Sequence, residues 1–546
     1  MKKRIKNWVL GVLVSVIIAI SVGFQSDFFE IAKQLDIYTT LFKELNMYYI
    51  DEVNPAKLNK NAVNFMLENL DPYTRYYDAQ GVEDARITST GEYGGIGALS
   101  RYKNNTLTIR EILKNSPAEK AGLKSGDKIL KIDDIAIKDY KGKGVEALLN
   151  GLPNTKVLLQ LKRQNKEIEI AVTRKKITLN PVPFFTMLTE EVGYISFTTF
   201  NEMASREVKK AYFDLKEQGM KKLIIDVRSN PGGLLLEAVK ITNFFIPNNK
   251  IVVTTKAKIK KWSETFKTSN EPLDLEIPLT ILINNRSASA SEILAGSLQD
   301  YDRAVIIGER SFGKGLVQRY RELSYGAQMK LTISKYYTPS GRCIQELDYT
   351  NRDEDGNVPK FSDVGRKVFT TEKGRKVYGG GGILPDLAIK KPTTTKTTEI
   401  LFESDAFFNF ITNYFYKNKT ILPPSQFKLN DAVFSSLKNY LSEYSEDFET
   451  KTEVAFKKAR EKATSENLHK SLEKKYEALL AEIQNEKLKE LDKNKGEIVD
   501  KLTEEIVKRY YYSEGVYQQK AAFDTTILKA VSILNNEKEY HSILKN

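Results

Sequence analysis

The sequence predicts a multidomain α/β protein. Short apolar runs that read as strands alternate with helical stretches between about residues 190 and 340, and a glycine-punctuated region of short strands precedes them. Apolar residues at helical spacing mark both ends of the chain. At 546 residues, with 41% hydrophobic and 10% aromatic side chains, the chain can bury several cores.

The first element is "MKKRIKNWVLGVLVSVIIAISVGF". It sets Lys2, Lys3, Arg4 and Lys6 before an uncharged run from Trp8 to Phe24. A run of that length is at the lower limit for a bilayer span and exceeds a usual signal-peptide core. The basic cluster stays cytoplasmic by the positive-inside rule, which sends everything after Gln25 across the membrane. Residues 1–26 are therefore expected to be a membrane anchor or signal segment. They would place the body in the periplasm or cell envelope, anchored in the inner membrane by residues 8–24; the alternative is removal of the segment, for which Ser21-Val22-Gly23 fits a small-x-small cleavage site. Residues 27–80 read as a helical domain, with Leu41, Leu45, Tyr48 and then Val63, Met66, Leu67 and Leu70 at helical spacing before "LDPYTRYYD". This domain shows no chemistry.

"GEYGGIGALS" (residues 91–100) lacks the GKS or GKT that a phosphate loop needs. A strand at "TLTIREIL" follows, then a short helix started by Ser116-Pro117-Ala118 and ended by Gly122, then a strand at "KILKI". This pattern resembles a PDZ domain over residues 81–176; a glycine-rich hairpin in an unspecialised β domain is the plainer alternative. The resemblance implies that Tyr93, Gly94, Gly95, Ile96 and Gly97 offer backbone N–H groups to a peptide's terminal carboxylate while the peptide adds as a strand. The implied partners are proteins with free carboxyl-terminal tails.

Strands are expected at "VGYISF", "KLIIDVR", "LTILIN", "AVIIGE" and "MKLTISKYY", with a helix from Met203 to Gln218. Three loops among them carry the candidate chemistry. Asn230-Pro231-Gly232-Gly233 joins a strand to a helix, whose N-terminal amides suit an oxyanion; a tight turn is the bland alternative. In "NNRSASASEILAGSLQD", Ser287, Ser289 and Ser291 alternate at a strand-to-helix junction. Ser289 sits where a nucleophile is held rigidly beside the next N–H, though helix capping would explain each of the three serines. In "GERSFGKGLVQ", Lys314 lies between Gly313 and Gly315 and is followed by Gln318. Burial of such an amine lowers its pKa toward the range of a base, whereas a surface lysine on a glycine turn does no chemistry.

Composition narrows the choice. The chain holds two histidines, His469 and His541, far downstream, so a Ser-His-Asp site is not expected. Cys343 is the single cysteine, which excludes an internal disulfide, a cysteine zinc cluster and a resolving thiol. The net charge of +13 comes from lysine and glutamate interleaved through the sequence, which reads as a solvated surface rather than a nucleic-acid site.

Together, "SASASEILAGSLQD", "GKGLVQ", "NPGG" and the preceding PDZ pattern resemble the carboxyl-terminal processing peptidases, the tail-specific S41 serine proteases with a Ser-Lys dyad. "YYTPSGRCIQ" and "GGGILPD" match later segments of that family. The resemblance implies a ClpP/crotonase-like α/β protease core over residues 177–390. Within it, Ser289 is the nucleophile, Lys314, following at the family's spacing, is the base, and Gln318 orients the amine. Gly232 or Gly233 and the N–H of Ala290 would form the oxyanion hole, and Asp300 matches an acidic position after the nucleophile's helix. No metal or cofactor is needed. The charged segment from Leu347 to Tyr378 departs from the family pattern and reads as a loop-like insert. A non-catalytic PDZ scaffold of the cell envelope is the alternative. Residues 391–546 read as a linker, "KPTTTKTTE", and a helical domain. Its stripes, Phe407, Phe408, Ile411, Tyr414 and Phe415, then Leu472, Tyr476, Leu479, Leu480 and Ile483, suit core packing, a homo-oligomer seam or an adaptor.

Overall fold

The structure, a computed structural model, describes residues 28–140, 144–353, 356–361, 365–389 and 394–545. The basic cluster and the apolar run of residues 8–24 lie outside the described residues. Among the described residues no helix is long and apolar enough to cross a membrane. The chain divides into two compact units: residues up to Asp78 with Tyr320–Leu331, and Ala79–Arg319 with Thr332–Asn546.

The first unit holds helices at residues 28–48 and Pro55–Glu68. The second starts because Asn54 accepts the Lys57 amide at 2.9 Å and Pro55 fills the first helical position, where its missing N–H costs nothing. "LDPYTRYYD" is not helical. Asp71 accepts the amides of Tyr73 (2.8 Å) and Thr74 (2.9 Å), closing a turn, and Arg75–Tyr77 becomes a strand antiparallel to Gln328–Lys330. The unit thus recruits a strand from far downstream, whereas the sequence reads as one continuous domain over residues 27–80.

In the second unit, Glu92–Gly95 pairs antiparallel with Lys175–Thr178. Between them a sheet runs in the order Ala98–Lys103, Thr106–Ile112, Lys128–Ile132, Lys156–Arg163, Lys166–Thr173. Alternate residues Leu107, Ile109, Ile129, Val157, Leu159 and Leu161 fill its core, as the two-residue period of a strand requires. The short helix Pro117–Lys120 is capped by Ser116, whose hydroxyl accepts the Glu119 amide at 3.2 Å.

A six-stranded sheet follows in the order Phe184–Met187, Val192–Ser196, Lys222–Asp226, Leu279–Ile283, Val305–Gly308, Leu387–Ala388. Its first pair is antiparallel and the others are parallel. Parallel strands covered on both faces are apolar at every position, which is why their sequences are unbroken runs. Ile195, Leu223, Ile225, Leu279, Ile281 and Ile306 face helices Ala204–Glu217, Leu235–Asn243 and Ala290–Asp300. Val192, Tyr194, Ile224, Leu282, Val305 and Ile307 face the helices Thr525–Asn535 and Glu537–Ile543. A second sheet pairs Ile251–Ala257 with Thr265–Lys267 and with Ser334–Tyr337.

The segment from Leu347 to Tyr378 is not all loop. It contains the hairpin Val368–Thr370 with Lys376–Tyr378. Arg375, at the hairpin's turn, binds Asp302 and, at 2.7 Å, Asp386. The hairpin is therefore anchored by buried ion pairs, which hydropathy does not reveal.

Helices Lys396–Glu403, Asp405–Lys417, Asp431–Glu443, Lys451–Ser465, His469–Lys493 and Lys495–Phe523 form a bundle around Phe407, Phe410, Ile411, Leu437, Leu491, Leu502 and Ile506. Asp405 of this bundle binds Lys103 and Arg110 of the glycine-rich β domain, and Arg110 lies 4.0 Å over the ring of Phe408.

Candidate active site

The strand Leu279–Ile283 ends in a loop that feeds the helix Ala290–Asp300. Ser289, the last residue before the helix, has φ 57° and ψ −114°. An L-residue with that backbone is strained, and a strained turn between strand and helix is how α/β enzymes expose a nucleophilic hydroxyl. The neighbouring serines are used otherwise. Ser287 is fully buried and donates to Val227 O at 2.8 Å; Ser291 is fully buried and donates to Asn230 O at 2.9 Å. Ser289 alone of the three is half-buried.

The Asn230-Pro231-Gly232-Gly233 loop is stitched to this turn. Asn230 O accepts from Ala288 N at 3.1 Å as well as from Ser291, and Asn230 Oδ1 accepts the Gly232 amide at 2.9 Å. Gly232 has φ +96°, and a Cβ there would lie 2.6 Å from Ala288 O, 2.8 Å from Ser289 Cβ and 2.9 Å from Ala290 N. Gly232 therefore touches both the candidate nucleophile and the amide that follows it. Gly233 packs on the backbone of Phe200. The Ala290 amide opens its helix, where N–H groups lack intrahelical acceptors.

The lysine loop meets the same turn. Phe312 N donates to Ser287 O at 3.0 Å. The larger connection is Glu292, a residue absent from the candidates that the motifs supply. This fully buried side chain accepts Ser311 Oγ (2.5 Å) and Gly313 N (2.7 Å) on Oε1, and Ser289 N (2.8 Å) and Lys314 N (2.9 Å) on Oε2. The backbone nitrogens of Ser289 and Lys314 thus share one carboxylate oxygen. Burial pushes the Glu292 carboxyl up to about 7, against the opposing pull of its bonds from Ser311, Lys314, Gly313 and Ser289. The signal lies in "SASE": a serine followed three residues later by glutamate at a helix start is a capping-box pattern, and the carboxylate half, Glu292 to the Ser289 amide, is present. Lys314 is half-buried. The glycines on either side let its loop lie against the 343–346 segment: a Cβ at Gly313 would be 2.7 Å from Glu346 Cβ, and one at Gly315 would be 2.8 Å from Gln345 N.

Gln318 stands on the strand that leaves the lysine loop, its amide donating to Thr332 Oγ1 at 3.2 Å. Asp300 is elsewhere. It ends the helix that Ser289 begins, roughly 16 Å away at about 1.5 Å per residue, and is buried against Arg342 at 2.8 Å and the Ser340 amide at 2.9 Å. It braces the 340–342 turn and does not join the three loops.

Of the expected carboxylate loop, Tyr93, Gly94 and Gly95 lie in the strand paired with Lys175–Ile177, and Gly94 O also accepts Gly151 N at 3.0 Å. Ile96 and Gly97, with φ +74° at Gly97, form the turn into Ala98–Lys103. Among the described residues that strand is an edge, with Thr106–Ile112 as its one neighbour in the sheet.

Comparisons with known proteins agree with this architecture. Residues 191–351 match the model of peptidase family S41, residues 94–173 a PDZ domain, and residues 397–534 the C-terminal helical domain described as that of a probable PDZ-protease. The carboxy-terminal-processing protease of Bartonella bacilliformis is 35% identical over 324 residues, which cover 58% of this chain and 74% of that protein. A probable CtpA-like serine protease of Staphylococcus aureus is 37% identical over 310 residues, 56% of this chain; the match spans 61% of the relative's length. The photosystem II D1 C-terminal processing protease is a structural neighbour at 28% identity with a TM-score of 0.34, covering 56% of this chain and 89% of that one. The chain belongs to the carboxy-terminal-processing proteases of peptidase family S41, with a PDZ domain and a C-terminal helical domain around the protease core.

Proposed function

We propose that this protein is a serine endopeptidase that captures the carboxyl-terminal tail of exported proteins on its PDZ domain and cleaves near it with Ser289 and Lys314. The observation that carries the reading is the convergence on Ser289: the two flanking serines spend their hydroxyls on carbonyls, while the glycine loop and the lysine loop are both bonded to the Ser289 turn. In this reading neutral Lys314 takes the proton from Ser289 Oγ as it attacks the scissile carbonyl, and Gln318 orients the amine. The oxyanion is received by the Ala290 amide and by Gly233. The Gly232 amide is committed to Asn230, and Gly232 serves by leaving room. As the peptide bond breaks, Lys314 returns the proton to the departing amine and leaves the acyl-enzyme; neutral Lys314 then takes a proton from water, which attacks the ester and releases Ser289. The tail adds to the edge strand Ala98–Lys103, its carboxylate at the Tyr93–Gly97 segment, where Ile96 and Gly97 make the turn. Export rests on the basic and apolar amino terminus, and a reporter fused after residue 80 should be active only outside the cytoplasm.

The test is to incubate the purified chain with a protein ending in an apolar tail and to follow carboxyl-terminal shortening by intact mass. Cleavage should rise with pH as the amine loses its proton. Ser289→Ala and Lys314→Arg should abolish it, since a guanidinium stays protonated. Cleavage by Lys314→Arg at the wild-type rate would mean that another group is the base.

A further inference from the structure

We propose that Glu292 is a positioning residue for this reaction, its carboxylate holding the lysine loop in register with the backbone of the nucleophile. The proposal rests on Ser289 and Lys314 being nucleophile and base. Two loops separated by a helix and a strand must bring an amine to a hydroxyl within hydrogen-bond reach, and a flexible lysine side chain does not fix that distance alone. Glu292 does so at the backbone. It rides on the first turn of the helix that Ser289 begins, and three of its four donors, Ser311 Oγ, Gly313 N and Lys314 N, come from the lysine loop. The fourth is Ser289 N. Ser311 extends the grip by accepting Ile383 N at 2.6 Å, which ties the loop to the segment "GGGILPD".

All four partners are neutral donors, so the acceptor they require is a group with two equivalent oxygens and no hydrogen of its own. Glutamine at this position keeps the volume and loses that property. Its amide nitrogen would face two of the donors: in place of Oε2 it would open the shared bridge from Ser289 N and Lys314 N, and in place of Oε1 it would release Ser311 Oγ and Gly313 N from the lysine loop. A displacement of about 1 Å in reacting groups costs on the order of 100-fold in rate.

The experiment measures kcat and KM separately on a tail-bearing substrate for wild type, Glu292→Gln, Ser311→Ala and Ser289→Ala, all as the full chain, with hydrogen exchange followed by mass spectrometry over residues 308–318. Glu292→Gln should lower kcat by about 100-fold with KM within about twofold, and should speed exchange at the Gly313 and Lys314 amides while leaving the PDZ peptides unchanged. A kcat within threefold of wild type, or a loss carried by KM, would overturn the proposal. If Glu292→Gln fails to fold, Ser311→Ala decides, since it removes one donor of four and should give a smaller kcat loss of the same kind; wild-type kcat there would overturn it. If Ser289→Ala cleaves like wild type, the nucleophile assignment has failed. Exchange then still tests the bridge: unchanged protection over residues 311–315 in Glu292→Gln refutes it.

Discussion

Ser287, Ser289 and Ser291 alternate in sequence but meet three environments, and the difference is measurable. Ser287→Ala strands the Asn284 amide, which donates to its hydroxyl at 3.0 Å, and Ser291→Ala removes a bond to Asn230 O. Each should lower stability by about 1–3 kcal/mol yet retain cleavage, which thermal melts beside an activity assay would show; loss of cleavage in a well-folded Ser291→Ala would move the nucleophile. Glu292 gives a pH signature of its own. Its carboxyl sits at about 7, above the ordinary 4.5, because burial disfavours the charge. Between those values the native protein binds a proton that the unfolded chain has released, at the expense of one of the four bonds that the ionised carboxylate accepts, so this group's contribution to stability is full below about 4.5 and is lost as pH rises through about 7, where the four-bond bridge becomes complete. Wild type should therefore lose stability relative to Glu292→Gln between pH 5 and 8, by at most about 1.4 kcal/mol per pH unit. Urea unfolding of the two proteins at several pH values checks this, and a flat or opposite drift would show that the carboxylate is ionised throughout.

At the scale of elements, what is periodic and local is legible in the sequence. The strands at 192–196, 222–226, 279–283 and 305–308 stand out because burial on both faces leaves unbroken apolar runs. The hairpin 368–378 does not, since Arg375 holds it through Asp302 and Asp386 rather than through an apolar face. Asp300 reads as a candidate acid because it stands near the motif in sequence, but a helix carries it away from the site. In the PDZ domain the glycines are legible and the competitor for the peptide is not: Glu146, in the turn Val145–Leu149, accepts the Tyr102 amide of the edge strand at 3.1 Å. An added peptide strand must displace that carboxylate to pair with Tyr102. Glu146→Ala should therefore bind a tail peptide several-fold more tightly, about 1 kcal/mol for one hydrogen bond that no longer has to be broken. Fluorescence titration with free and amidated tails measures it, and weaker binding would mean that Glu146 contacts the peptide instead.

At the scale of the whole molecule, the helices nearest the carboxyl end belong to the protease core. Thr525–Asn535 and Glu537–Ile543 lie on the sheet face opposite the helix Ala290–Asp300, where Ile527, Ala530, Ile533, Leu534 and Tyr540 cover Tyr194, Ile224, Leu282 and Ile307. Tyr540 OH accepts the Leu279 amide at 2.9 Å, and Arg228 joins Asp226 to Asp524, at 2.7 and 2.9 Å. An amphipathic stripe tells that a helix has a partner, not which one, so these contacts between segments remote in sequence are invisible in it. They carry a consequence for the site: the loops bearing Asn230 and Ser289 leave the strands Lys222–Asp226 and Leu279–Ile283, which this tail covers. Ile533 is fully buried there, and Ile533→Ala should cost about 2–5 kcal/mol through lost burial and the cavity left behind. Leu528, on the same helix but 49% exposed, should cost far less when changed to alanine. If the tail supports the core in this way, the melting transition of the catalytic domain, followed by loss of Ser289-dependent cleavage on heating, should fall for Ile533→Ala and stay near wild type for Leu528→Ala, while cleavage well below the transition stays the same in both. Equal melting of the two variants would mean that the tail helices are an appendage the protease core does not need.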